Sequence, residues 1–159
     1  MKYFLDSEFY EKPNTISLIS LAIVAEDGRE FYKWNKDYDK EAEKDEWLLK
    51  NVFSFKPPVN CDLWISQKEF KYEIDDFIGN DTNPEFWGYY CDYDWVIFCW
   101  QFGRMIELPD TYPMYCHDLK QLIDRLKNPD VPEQCGTEHD ALADARWIRN
   151  IYNLLESFK

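Results

Sequence analysis

Two carboxylates placed two positions apart interrupt the apolar opening run Met1-Lys2-Tyr3-Phe4-Leu5-Asp6-Ser7-Glu8-Phe9-Tyr10. In a β-strand side chains alternate between faces and each residue advances about 3.3 Å, so Asp6 and Glu8 point to one side, roughly 6.6 Å apart. Carboxylates at that separation can share hard divalent cations, because Mg²⁺ and Mn²⁺ take oxygen ligands and keep positions open for water and phosphate. An edge strand with acids on its solvent face would carry the same pattern. The decision therefore rests on acids further along the chain.

Two later stretches supply them. Asp92-Tyr93-Asp94 stands between Phe86-Trp87-Gly88-Tyr89-Tyr90-Cys91, which reads as a fourth strand, and the apolar Trp95–Trp100 segment, which reads as a helix. Sheets that carry helices bind ligands in the crevice beyond the carboxyl ends of their strands, so an Asp at this junction is a site candidate. An Asp there also caps free helix N–H groups, and Asp92 is the better placed of the two for that role. The second stretch is Thr137-Glu138-His139-Asp140-Ala141-Leu142-Ala143-Asp144-Ala145-Arg146. Asp144 falls on the apolar stripe beside Ala141 and Ala145, whose small side chains let another element come close. A buried Asp needs a partner, either a Lys or Arg or something bound at a site. Asp140 suits a first helical turn through the helix dipole, and His139 reads either as polar surface at a helix start or as a functional imidazole.

The elements that must position these groups follow from periodicity and turn signals. Thr15–Val24 is a long β-favouring run, and the Asp27-Gly28 hairpin signal precedes an alternating third strand, Arg29–Trp34, completing an antiparallel meander. Asp37 to about Phe53 reads as a mostly exposed helix ending before Pro57-Pro58. Ser66-Gln67-Lys68-Glu69 has the capping-box pattern for a helix over Gln67–Ile78, stopped at Gly79-Asn80. Arg104–Leu108 suggests a short strand, Tyr112–His117 an extended segment, and Asp118 a cap for a helix over Leu119–Leu126. Pro129 and Pro132 mark a loop, and Leu142, Ala145, Ile148, Ile151, Tyr152 and Leu155 give a helix over about Glu138–Phe158 its 3.6-residue period.

At 159 residues the chain fits one domain spanning 1–159, and with 45% hydrophobic and 18% aromatic residues it should fold around an aromatic-rich core. The formal net charge of -13 argues against gripping phosphate with a basic surface, so any nucleic-acid role needs positive charge supplied locally, as bound divalent metals would do. Cys61, Cys91, Cys99, Cys116 and Cys135 show neither a CxxC pair nor zinc-finger spacing. The N-terminus lacks the pattern of a secretory leader, and no apolar run is long enough to span a membrane. The expectation is a soluble, cytoplasmic protein with reduced thiols.

Taken together, Asp6-Ser7-Glu8, Tyr93-Asp94-Trp95-Val96 and His139-Asp140-Ala141-Leu142-Ala143-Asp144 occur in the order of the Asp-x-Glu, mid-chain Asp and His-x4-Asp motifs. In this the sequence resembles the DEDDh branch of 3′-5′ exonucleases, and most of all its small single-domain exoribonucleases from bacteria, mycobacteria included, and phages. The resemblance implies an α/β, ribonuclease H-like fold: a mixed sheet of about five strands, antiparallel meander plus parallel strands, flanked by helices. It implies hydrolysis of single-stranded RNA 3′ ends with release of nucleoside 5′-monophosphates, using two divalent ions, Mg²⁺ or Mn²⁺. In that scheme Asp6 bridges both metals, Glu8 and Asp144 hold the first, Asp94 serves the second, and His139 is the general base. Asp94 is preferred over Asp92 because the family pattern has an aromatic residue before the Asp and apolar residues after it. Phe9 is a candidate substrate contact, Arg146 a structural or rim residue, and homodimerisation an expectation. The rival readings are a 3′-5′ DNA exonuclease and a non-catalytic acidic protein-interaction domain.

Overall fold

Strand β1 (Lys2–Lys12) turns through Pro13-Asn14 into β2 (Thr15–Ala25), which turns through Asp27-Gly28 into β3 (Glu30–Asn35). Asn14 and Gly28 take the left-handed conformation, with φ of 63° and 94°, that reverses the chain within so few residues. In this computed structural model, which describes residues 1–127, 129–134 and 137–157, the three strands form the expected antiparallel meander. Strand β5 (Glu85–Gly88) pairs parallel with β1, and β6 (His117–Asp118) parallel with β5. At the opposite edge β4 (Trp64–Ile65) pairs parallel with β3. The result is a six-stranded mixed sheet of order β4-β3-β2-β1-β5-β6 with β1 near its centre. The sixth strand was not foreseen because β4 is two residues long, too short for alternation to show.

The segment expected as one helix over Asp37–Phe53 is broken into a 3₁₀ turn (Lys40–Lys44), the short helix α1 (Glu46–Asn51) and a second 3₁₀ turn (Phe53–Phe55). Its own acids divide it. Asp39 accepts from the Glu41 N–H, and Asp45 accepts from the N–H groups of Trp47 and Leu48, so each starts a new turn. Helix α2 (Phe70–Ile78) starts after the expected capping sequence, where the Glu69 carboxylate reaches back to the Ser66 N–H at 2.6 Å. Helix α3 runs over Asp92–Phe102, longer than its apolar core. Arg104–Leu108 is not a strand but contains a 3₁₀ turn (Met105–Glu107), closed by the Glu107 carboxylate on the Arg104 N–H at 2.7 Å. Asp118 caps α4 (Leu119–Arg125) as expected, accepting from Lys120 N–H at 2.7 Å. Helix α5 (Ala141–Glu156) begins three residues later than expected, and the expected end at Phe158 lies outside the described residues.

Alternation along β1 divides the core. Tyr3 and Leu5 face α2 and α3, joining Phe70, Ile74, Phe86, Trp95 and Phe98. Phe4 faces the other way, onto α4 and α5, with Leu119, Ile148, Ile151 and Tyr152. Ala141 and Ala145 are fully buried against Ala22 and Val24, so the small residues of α5 let that helix lie close on the sheet. Among the described residues no helix is long and apolar enough to cross a membrane. Cys61, Cys91, Cys99 and Cys116 are free thiols, and Cys135 lies outside the described residues.

Candidate functional site

Strand β1 outruns its parallel neighbour. Its pairing with β5 covers only Lys2, Tyr3 and Phe4, so Asp6, Ser7 and Glu8 present an unpaired edge on that side. The chain leaving β5 turns into α3, whose first turn fills the gap. Ser7, pointing to the α3 face, donates from its backbone N–H (2.8 Å) and its hydroxyl (2.6 Å) to one oxygen of Asp94. A carboxylate thus takes the hydrogen bond a neighbouring strand would have supplied. Gly88 permits the tight corner: a Cβ there would lie 2.3 Å from the Cys91 Cβ and 3.3 Å from the Leu5 carbonyl oxygen. Asp92 is exposed, and no side chain caps α3 at all, since Cys91 occupies the cap position. The expectation that Asp92 caps the helix is corrected accordingly.

On the opposite face, Asp144 is held from two sides. One oxygen accepts from the His139 N–H at 2.9 Å and the other from the Gln134 side-chain amide. The first of these bonds explains the late start of α5. The Asp144 carboxylate folds the chain back over the helix end, and His139 takes the left-handed conformation with φ 69°. Asp140 sits at the cap position, but its carboxylate leaves the helix N–H groups alone. It accepts instead from the Tyr32 hydroxyl at 2.9 Å, and Tyr32 in turn accepts from the Trp34 indole at 2.7 Å. The imidazole of His139 lies edge-on to the Trp47 indole with ring centres 4.7 Å apart. Arg146 points away and pairs with Glu30 at 2.6 Å.

Asp6, Glu8, Asp94, His139 and Asp144 all line one cleft of about 490 Å³, together with Phe9 and Trp47. Ligand atoms of Glu8, His139 and Asp144 lie within 4.8 Å of one another. Phe9 is half-buried and packs edge-on against Tyr93 at 5.7 Å. A second cleft, of about 500 Å³, shares Asp6, His139 and Asp144 and continues past Tyr89, Gln134 and Trp147.

The electrostatics are one-sided. Burial, then the charges of Asp94, Glu8 and Asp144, holds the Asp6 carboxyl well above its ordinary range. Burial and the charges of Asp144 and Asp94 do the same to Glu8. Burial pushes Asp94 up to about 6 although both Ser7 bonds pull it down. Asp144 is raised by burial, with Gln134 and His139 opposing. Among the described residues no Lys or Arg forms an ion pair with any of the four. Four converging carboxylates with no cation between them suit hard divalent ions, which would bind the charged forms and offset the mutual repulsion.

Three neighbours of this cluster were invisible in the sequence. Ser7 gave no signal beyond its place between the two acids. Gln134 sits in a proline-marked loop, and Trp47 reaches His139 from a segment read only as exposed helix. These are long-range contacts that local spacing does not encode.

The comparisons with known proteins point the same way as the geometry. A family model described as the Rv2179c-like 3′-5′ exoribonuclease domain matches residues 1–155. The 3′-5′ exoribonucleases Rv2179c of Mycobacterium tuberculosis strain H37Rv and MT2234.1 of strain CDC 1551 are each similar to this chain, with 37% identity over 159 aligned positions covering 99% of this chain and 94% of the relative. The chain therefore belongs to the Rv2179c-like 3′-5′ exoribonuclease domain family, on an α/β fold whose six-stranded mixed sheet is consistent with the ribonuclease H-like type.

Proposed function

We propose that this protein is a 3′-5′ exoribonuclease that shortens single-stranded RNA from its 3′ end and releases nucleoside 5′-monophosphates with the help of two divalent ions, Mg²⁺ or Mn²⁺. The observation that carries the reading is the convergence of Asp6, Glu8, Asp94 and Asp144, with His139, in one cleft from three elements and with no Lys or Arg paired to these acids among the described residues. Asp6, Glu8, Asp94 and Asp144 are the residues that would hold the ions. Bound there, the ions would supply charge neutralisation at the scissile phosphate and a lowered pKa for the attacking water.

The chain's own residues do the rest. Ser7 fixes the Asp94 carboxylate by two hydrogen bonds, and the His139 N–H and Gln134 fix Asp144. His139, which lines the cleft beside Glu8 and Asp144, accepts the proton of the attacking water at an imidazole nitrogen. Phe9, on the cleft wall beside Glu8, offers an aromatic face to the terminal nucleotide. The homodimer needs an uncharged face in a chain carrying -13. Tyr93, Val96 and Trp100, exposed at i, i+3 and i+7 of α3, supply one, and light scattering reads the result.

The test is incubation of purified protein with 5′-labelled RNA and DNA oligomers in Mn²⁺ or EDTA. A ladder shrinking from the 3′ end of RNA, abolished by EDTA, is expected. Faster loss of DNA would favour the DNA exonuclease. No metal-dependent shortening of either substrate would leave the acidic interaction domain.

A further inference from the structure

The RNA strand beyond the bond being cut needs a hold, and the cleft itself is lined by acids. Helix α1 stands at its rim. Trp47, on the first turn of α1, is 52% exposed, lines the cleft and sets its indole against the His139 ring. Lys50 follows at i+3, so it occupies the same side of the helix as Trp47. It forms no ion pair among the described residues, whereas many other cations do: Lys2, Lys12, Lys33, Lys44, Lys56 and Lys120 each hold a carboxylate. Lys50 lines a separate cavity of about 350 Å³ with Asn51, Ser54, Phe55, Glu138 and His139. His139 thus lines both the acidic cleft, with Trp47, and a pocket lined by Lys50.

We infer that α1 is a nucleotide subsite in which the Trp47 indole stacks a base and the Lys50 ammonium binds an internucleotide phosphate of the strand left behind by cleavage. The inference rests on the exoribonuclease reading. In a reaction that releases nucleoside 5′-monophosphates, the scissile phosphate leaves with the terminal nucleotide. Any other phosphate the protein touches therefore belongs to the upstream strand, and a dinucleotide has none. An aromatic face beside a cation is the pairing that holds single strands without reading their sequence. Both side chains are exposed and neither supports the core, so neither needs to be there for folding.

The test compares wild type with Lys50→Ala, Lys50→Arg, Trp47→Ala and Trp47→Phe on ribo-dinucleotides and ribo-pentanucleotides in Mn²⁺. RNA binding is measured in parallel by anisotropy over a salt series in an Asp94→Asn background. Lys50→Ala should raise KM for the pentanucleotide several-fold and not for the dinucleotide, and should reduce the magnitude of the log K against log [salt] slope by about 0.7, the value for one phosphate contact on a single strand. Lys50→Arg should restore both. Trp47→Ala should weaken pentanucleotide binding by roughly 5- to 100-fold with an unchanged salt slope, and Trp47→Phe should recover most of it. An unchanged slope and KM in Lys50→Ala would overturn the phosphate site. Equal losses on dinucleotide and pentanucleotide would overturn the upstream placement, and for Trp47 would mean that it only positions His139. If wild type shortens no RNA at all, the exoribonuclease reading fails, while the salt slope still reports on Lys50.

Discussion

Ser7→Ala probes the joint that brings the two faces of the site together. It removes one of two donors to Asp94, the hydroxyl at 2.6 Å, and leaves the backbone N–H at 2.8 Å. A hydrogen bond to a charged group contributes about 1.5–3 kcal/mol, and 1.36 kcal/mol corresponds to a tenfold change in proton affinity. Asp94 stands at about 6 with both donors in place, so without the hydroxyl it should rise to roughly 7–8. A carboxylate must shed its proton before it can bind a metal. Mn²⁺ affinity measured by calorimetry should therefore fall about 5- to 50-fold near pH 6, while the loss shrinks to a fewfold or less near pH 8.5, where Asp94 is mostly ionised in both proteins. The rate on RNA should follow the same pH trend. An equal loss at both pH values would mean that Ser7 acts by geometry alone. No loss at the lower pH would refute the argument that it holds the carboxylate charged.

Other changes test neighbouring steps. His139→Ala should leave Mn²⁺ affinity nearly unchanged and lower turnover at saturating Mn²⁺ by roughly 10²–10⁴-fold; near-wild-type turnover would return His139 to the surface. Asp94→Asn should cost orders of magnitude in rate, whereas Asp92→Asn, at an exposed position that caps nothing, should be nearly silent, and a reversed order would move the ligand by two residues. Gly88→Ala drives a methyl into Cys91 and the Leu5 carbonyl, so calorimetry should show about 1–3 kcal/mol of lost stability together with weakened Mn²⁺ binding; an unchanged melting temperature would show that the corner relaxes freely. Metal-free stability should fall as pH rises from about 4 to 7. The native Asp94 binds its proton more tightly than the unfolded chain, so its contribution is complete below about pH 4 and lost through about 6, roughly 3 kcal/mol from this group, with Asp6, Glu8 and Asp144 shifted the same way. Saturating Mn²⁺ should remove the decline, and a melting temperature that rises over that interval without metal would contradict the shifts.

The parts of this molecule legible in the sequence are those that local repetition governs. Alternation through Tyr3-Phe4-Leu5-Asp6 and the Asp-Gly turn gave the meander, and the 3.6-residue stripe from Leu142 to Leu155 gave α5. Boundaries failed where a side chain competes with the backbone. Asp45 restarts the helix in the 37–53 segment, and Asp144 bends the chain at His139 so that α5 starts late. At the site, the type and order of Asp6, Glu8, Asp94, His139 and Asp144 could be read, but the reason they meet could not. That reason is a difference in strand length, with β5 ending while β1 continues, and it becomes visible only when the two strands are paired.

The unpaired edge also explains why the tripeptide Asp6-Ser7-Glu8 can serve both faces of the sheet. Residues flanking Ser7 point toward α5, where Asp144 waits, and Ser7 itself points toward α3. Were the middle residue large and apolar, it would occupy the space into which the Asp94 carboxylate now reaches, and α3 would be held off the strand. A larger residue could also not return the second hydrogen bond that keeps a buried carboxylate from remaining unsatisfied. Ser7 is 5% exposed, and its hydroxyl lies where a side chain from one face of the sheet must be joined to ligands from the other. A mixed sheet offers such a position only where one strand outlasts its neighbour. The site is therefore placed by the end of β5 as much as by the acids of β1.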